Sequence, residues 1–302
     1  MSGSLEASSD SVAPTRAERF FFDNNGYLIL PNFLEPKHVN QLKDALDRAV
    51  RNRRQPGYRR EHPTAYPDDL QGVNSRIFHL LDEDPRFLEL MDYPPMMAYV
   101  RGLLSPRPHL HATDGIVEVE CSAGHGAGWH TDGQDGFRTL GAQIPLLQLK
   151  VGYYLSAMSA PNQGNLTLVP GSHKATLEPD QKDLRSSDLF PGTLQICGPP
   201  GTAVLFHNAV WHTGGPWMKP NGRRIMLYYA YEHPWMLSWL SRGDIRPHSS
   251  TACQQNNENS STAFISIRRS TTGGKGFSIF DFEFAIECWL ATKPGIGPSA
   301  FI

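Results

Sequence analysis

Hydrophobic positions follow helical spacing near the start of the chain and strand spacing after Pro106. In the stretch from Glu35 to Arg51, Val39, Leu42, Ala45, Leu46 and Val50 fall three or four apart, which puts them on one face of a helix. A shorter helix precedes it and ends near Asn24-Asn25-Gly26, and a small strand follows from Tyr27 to Pro31. Residues 84–104 predict two more short helices, interrupted at Pro94-Pro95 because proline cannot continue a helix.

Beyond Pro106 the apolar runs shorten and begin to alternate: HLHATDGIVEVE, PLLQLKVGYYL, GNLTLVPG, TLQICG, TAVLFHNAVWH and RRIMLYYAY. Each is bounded by Gly, Pro, Asn or Asp, as strands are. Helices followed by six or more strands with no helix between them point to an antiparallel sandwich or barrel, not a doubly wound sheet. The pattern changes again after about Pro234. HSSTACQQNNENSSTA is polar and of low complexity, and FISIRRSTTGGKGFSIFDFEF alternates around a Gly-Gly turn, as a hairpin would. The domain organisation is therefore read as a small, polar, disordered start over residues 1–15, a domain over 16–234 with its β core at about 107–232, and an atypical tail over 235–302 that is a candidate for self-association.

Composition agrees with a turn-rich β protein, since the 302 residues include 27 glycines and 24 prolines. A net charge of −2 provides no broad basic field, which argues against a nucleic-acid binder. No apolar run approaches the roughly 20 residues that cross a bilayer. The opening MSGSLEASSDSVAPT lacks the basic-then-apolar order of a secretory signal, so a cytoplasmic protein without membrane association is expected. The four cysteines (Cys121, Cys197, Cys253 and Cys288) form no CxxC pair and read as thiols rather than a disulfide frame.

The segment richest in chemistry is GAGWHTDG. His130 and Asp132 stand two apart, so in extended backbone both side chains leave one face. An imidazole and a carboxylate so placed make two-thirds of the facial triad that suits Fe(II) with open positions. The best-placed third ligand is His212, 82 residues further on at the end of an apolar strand, about the separation that a jelly roll needs to bring those strands together. His207, an odd number of residues before His212, faces the other way and reads as structural. Iron chemistry of this kind needs a second electron source, commonly an oxo-acid cosubstrate, whose distal carboxylate suits a planar, permanently charged arginine. Arg223, eleven residues after His212 across the turn GGPWMKPNG, is the expected partner, with Arg224 as the alternative on the opposite face.

Four segments, FFFDNNGYLILPNFL, GWHTDG, GNLTLVPGSHK and VLFHNAVWHTGGPWMKPNGRR, together resemble the phytanoyl-CoA dioxygenase family of Fe(II)/2-oxoglutarate oxygenases over residues 18–232. The resemblance implies a mostly β fold, a double-stranded β-helix (a cupin-like jelly roll) with flanking helices. It implies Fe(II) held by His130, Asp132 and His212, with 2-oxoglutarate held through Arg223 and O2 as second cosubstrate. Tyr153 matches an aromatic position lining the family's cosubstrate site, and Thr213 and Gln148 are further candidates. Relatives that halogenate replace the metal carboxylate with a small residue, so Asp132 points to oxygen transfer. The implied activity is oxidation, most simply hydroxylation, with release of succinate and CO2. A CoA thioester would need several basic residues for its phosphates, and Arg51, Arg53, Arg54, Arg59 and Arg60 are the only cluster, so a small hydrophobic natural product or lipid-like molecule is the expected substrate. Two other readings stay open: a jelly-roll metal- or ligand-binding protein without turnover, and a cupin-type isomerase or lyase.

Overall fold

The computed structural model describes residues 13–56, 58, 68–70, 72–119, 128–133, 143–180, 192–217 and 222–236. The expected polar start over residues 1–12 and the expected tail hairpin lie outside the described residues. Thr15, read as part of that start, instead caps helix α1 (Arg16–Asn25). Its hydroxyl accepts from the Glu18 N–H while the Glu18 carboxylate accepts from the Thr15 N–H, so two otherwise unpaired donors are satisfied reciprocally. The helix stops at Gly26, whose φ of 77° is open to glycine, and strand β1 (Tyr27–Leu30) begins at once.

Helix α2 (Pro36–Arg53) starts with proline in its first turn and buries Val39, Leu42, Ala45, Leu46, Ala49 and Val50, the stripe predicted from spacing. Strand β2 (Ser75–Phe78) follows, then helices α3 (Pro85–Met91) and α4 (Pro94–Leu103), each opening on proline. The remaining strands are β3 (His109–Glu118), β4 (Gln148–Tyr154), β5 (Leu166–Leu168), β6 (Leu194–Gln195), β7 (Ala203–His207), β8 (His212–Gly214) and β9 (Arg224–Glu232). All of their pairings are antiparallel. Six strands form one sheet in the order β1-β7-β4-β9-β3-β2, and three form a second in the order β6-β5-β8. This is the mostly β, double-stranded β-helix architecture with flanking helices.

Strand alternation divides the core in two. One face of the large sheet carries Val151, Tyr153, Leu205, Leu227, Tyr229 and Tyr231, which pack with the buried stripes of α2, α3 and α4. Gly115 marks how close that contact is, because a Cβ there would come within 2.5 Å of Leu46 of α2. The opposite face carries Ile116, Tyr154, Val204, Phe206 and Met226, which meet Leu166 and Leu168 of the small sheet. Each such side chain removed from water contributes roughly 1.5–3 kcal/mol before entropy is counted. The second face is the interior of the β-helix, so parity along a strand decides whether a residue can reach the site.

Two of the basic residues at the end of α2 serve the fold. Arg53 is buried and pairs with Asp68 at 2.8 Å and Glu83 at 2.9 Å, tying the helix end to the segment before α3. Arg54 donates to the Gly72 and Asn74 carbonyls and to Ser75 Oγ. Among the described residues no helix is long and apolar enough to cross a membrane.

Candidate metal centre

His130 joins the small sheet through a bridge to His212. Each residue's N–H donates to the other's carbonyl at 3.0 Å. The Asp132 N–H, two residues on, donates to the Asn208 carbonyl at 2.8 Å, which anchors the turn that carries the carboxylate. The bridge puts the two imidazoles side by side with ring centroids 4.3 Å apart. His212 Nε2 lies 3.7 Å from Asp132 Oδ2, and one ligand atom from each of the three side chains lies within 4.8 Å of the other two.

The hydrogen bonds around the rings suit a metal. His130 Nδ1 is 2.9 Å from the Gly128 carbonyl, and His212 Nδ1 is 2.9 Å from the Val210 carbonyl. Both Nδ1 atoms therefore donate to backbone, and in the neutral ring this leaves Nε2 as the acceptor or ligand atom. Burial, followed by the neighbouring His130, pushes His212 down to about 4, so its neutral form is favoured. Burial acts to raise the Asp132 carboxyl, but Lys150 and the two imidazoles outweigh it and hold it at about 2. Lys150 Nζ is 3.5 Å from Asp132 Oδ2, and that oxygen has no aligned hydrogen-bond partner. Two imidazoles and one ionised carboxylate converging with an underused oxygen fit a divalent first-row metal.

The PGSHK turn supports this arrangement. Ser172 Oγ accepts from the Trp211 N–H at 2.9 Å and the Val169 N–H donates to the Trp211 carbonyl, which fastens the residue before His212. His173 stacks near His207 with centroids 5.0 Å apart. His207 is not part of the converging triad and accepts the Ala209 N–H on Nδ1 at 2.9 Å.

The expected cosubstrate residues divide by strand face. Arg223 is not brought to the triad: its side chain is 44% exposed, pairs with Asp47 of α2 and lines an open groove of about 400 Å³ with Arg51 and Arg54. The expected face is corrected by one residue, because β9 begins at Arg224 and that side chain points inward. Arg224 is 6% exposed and donates to Glu118 at 3.1 Å, while its Nε has no partner among the described residues. Tyr153 is also displaced from its expected role. It lies in the helix-facing core, edge-on to Tyr229 with centroids 6.0 Å apart, because it alternates with the inward-facing Tyr154. Thr213 pairs with Thr167 and alternates with His212, so its side chain leaves the opposite face of β8. Gln148 does face inward, with its amide donating to Glu232 Oε2 at 3.2 Å.

Two under-satisfied donors meet at the Arg224 end of β9. Gly164, at φ 73°, has space for no side chain, since a Cβ would come within 2.5 Å of Arg224 Cδ and 3.0 Å of the Trp217 ring. Trp217 Nε1 is a second buried donor with no partner among the described residues. A charged fork and an indole N–H, both under-satisfied, suit the distal carboxylate of an oxo-acid. Lys150 was not among the residues singled out from the sequence, although its spacing of two from Gln148 on an extended strand places both on one face. Glu232 was missed altogether, since a single acid closing an apolar strand resembles an ordinary strand end.

The sequence model of the phytanoyl-CoA dioxygenase family (PhyH) matches residues 22–225, which span both sheets, the triad and the first residues of β9. The chain belongs to this family. By family it is a 2-oxoglutarate-dependent non-haem iron oxygenase, with Fe(II) and 2-oxoglutarate as cofactor and cosubstrate. No curated protein sequence matches the chain. Several solved structures share the fold of this phytanoyl-CoA dioxygenase family member. HygX from Streptomyces hygroscopicus, with nickel and 2-oxoglutarate bound, is 22% identical at a TM-score of 0.60, over 75% of this chain and 90% of that one. EctD from S. alaskensis with bound Fe is 20% identical at a TM-score of 0.60, over 75% of this chain and 79% of that one. SnoK, an alpha ketoglutarate dependent carbocyclase from nogalamycin biosynthesis, is 16% identical at a TM-score of 0.53, over 73% and 84%.

Proposed function

We propose that His130, Asp132 and His212 hold Fe(II), that Arg224 and Trp217 receive the distal carboxylate of 2-oxoglutarate, and that the protein hydroxylates an unactivated carbon of a small molecule. The observation that carries this reading is the convergence of the three side chains on one point across a bridge between two segments 82 residues apart. When bound, the metal and its cosubstrate supply the oxidation, in which 2-oxoglutarate and O2 become succinate and CO2 and one oxygen atom goes to the substrate. The chain's own residues position and exclude. Backbone carbonyls at Gly128 and Val210 fix the imidazole tautomers. Lys150 lies against the metal carboxylate and restrains its rotation. Arg224 sets the direction of the oxo-acid, since its planar fork accepts a carboxylate in one orientation. Buried Phe206, 4.8 Å from the His212 ring, keeps water from the ligand's side.

The test is succinate formation from 2-oxoglutarate by the purified chain with Fe(II) and O2. The native protein forms succinate, and His130→Ala, Asp132→Ala and His212→Ala each lower the rate by at least 100-fold while the protein keeps its circular dichroism. With chloride present the product gains oxygen, because Asp132 fills the position that a halide would take. Full activity in His212→Ala would remove the assignment.

A further inference from the structure

The inner face of the large sheet changes character along its length. Around Ile116, Tyr154 and Met226 it is apolar and packs against the small sheet. Toward the other end of the same strands the side chains become polar. Gln148, Glu232 and His109 stand side by side in register across β4, β9 and β3. A register shift between Leu110 and Ala112 turns His111 toward the same carboxylate. His109 Nδ1 is 3.0 Å from Glu232 Oε1, and His111 Nδ1 is 3.0 Å from Oε2 at an angle too poor for a good hydrogen bond.

This row is next to the triad. Lys150, which touches Asp132, is two residues from Gln148 on the same face, roughly 7 Å along the strand. Arg224 is the first residue of β9 and Glu232 the last, so the cosubstrate cradle and the polar row occupy opposite ends of one surface. With the oxo-acid held at the Arg224 end, the substrate meets the triad from the Glu232 end. The side chains of His109 and His111 are 31% and 19% exposed, whereas Glu232 beneath them is 1% exposed.

We infer that His109, His111 and Glu232 form the recognition wall for the substrate, and that this substrate is a polar molecule presenting hydroxyl or ammonium groups. The inference rests on the oxygenase reading of the triad and replaces the small hydrophobic or lipid-like substrate expected from the sequence. An imidazole that directs Nδ1 at Glu232 turns Nε2 away from it, and in the neutral ring Nε2 accepts a hydrogen bond from a hydroxyl or an ammonium. Burial works against ionising Glu232, but the hydrogen bonds from His109 and Gln148 and the close approach of His111 outweigh it and hold the carboxyl at about 2. The row therefore sets an ionised, buried carboxylate behind two imidazoles, a polar wall whose outward ring nitrogens pair with polar groups of a ligand and not with a hydrocarbon. A hydrocarbon pressed onto it would strip water from two imidazoles and replace none of their hydrogen bonds.

The experiment uses the full chain with Fe(II), O2 and 2-oxoglutarate, and reads succinate against two probe panels. One holds aminosugars and cyclitols; the other holds fatty acids and terpenoid alcohols. The expected result is stimulation of at least tenfold over the probe-free rate by members of the first panel and none by the second. Aminosugars acting better than cyclitols identify ammonium as the recognised group, and equal action identifies hydroxyl. For the best probe, His111→Leu and His109→Leu each raise its KM at least tenfold, while the KM for 2-oxoglutarate changes less than threefold. His111→Gln, whose amide lies about where Nε2 does, keeps a polar group facing the substrate, guards against simple misfolding and restores part of the affinity. Succinate stimulated only by the second panel, or by neither, overturns the inference and leaves the oxygenase reading standing. No succinate under any condition overturns both.

Discussion

Arg223 and Arg224 carry the same side chain, and what separates them is the alternation of β9. One residue of displacement moves a guanidinium from the surface beside Asp47 to the interior beside Gly164. Arg224→Ala leaves a buried carboxylate of the cosubstrate unpaired, which costs on the order of 2–5 kcal/mol. The KM for 2-oxoglutarate should therefore rise by at least 30-fold, and Arg224→Lys should recover only part because an ammonium lacks the planar fork. Arg223→Ala loses an exposed pair worth at most about 1 kcal/mol of stability and should leave that KM within twofold. Steady-state kinetics on the three variants check both statements, and the reverse ranking would contradict the face assignment. The convergence of His130 with Asp132 was legible in the sequence because a spacing of two in extended backbone determines a shared face. The arginine was not, because eleven residues across a turn determine a distance but not where the next strand begins. Tyr153 lies in the helix-facing core because its parity in β4 is opposite to that of Tyr154, which matching an aromatic position of the family does not determine.

Among the elements, the turn before β5 has the most demanding geometry. Gly164 combines a positive φ with Arg224 and Trp217 in the space that a Cβ would occupy. Gly164→Ala brings both backbone strain and a clash with the Arg224 stem, so the guanidinium must shift. The expected outcome is a rise of at least tenfold in the 2-oxoglutarate KM with Fe(II) affinity little changed, read by separate titrations of the two. Equal loss of both would mean that the turn holds up the triad and not the cosubstrate cradle. The helices and most strands were legible from periodicity and from proline at helix starts. The register shift in β3 was not, since nothing in HLHATDG marks which residue is passed over. That shift brings His111 to Glu232, so the polar row came into view only with the sheet assembled.

At the scale of the whole molecule, stability is coupled to pH through buried imidazoles away from the metal ligands. Burial, with His173 beside it, pushes His207 down to about 3, against about 6.5 for a free histidine. Below pH 6.5 the unfolded chain takes up a proton that the folded chain refuses, so this group destabilises the fold as pH falls toward 3. By pH 4 the loss is about 3 kcal/mol, at about 1.4 kcal/mol per pH unit. His207→Asn can keep an acceptor for the Ala209 N–H without titrating. Its melting temperature should therefore fall less between pH 6.5 and pH 4 than that of the native protein, and parallel curves would contradict the account. The sandwich was predictable from helices followed by uninterrupted strands, and the helix-covered face from the α2 stripe.

The central claim is that three side chains from two distant segments form one iron site next to an arginine-lined cosubstrate cradle. The most direct measurement is an anaerobic titration of Fe(II) into the full chain with 2-oxoglutarate present, followed by the charge-transfer absorption of the ternary complex. One equivalent of Fe(II) should produce the band in the native protein. His212→Ala and Asp132→Ala should abolish it, and Arg224→Ala should require far more 2-oxoglutarate to restore it. A band of native strength and affinity in His212→Ala would contradict the account.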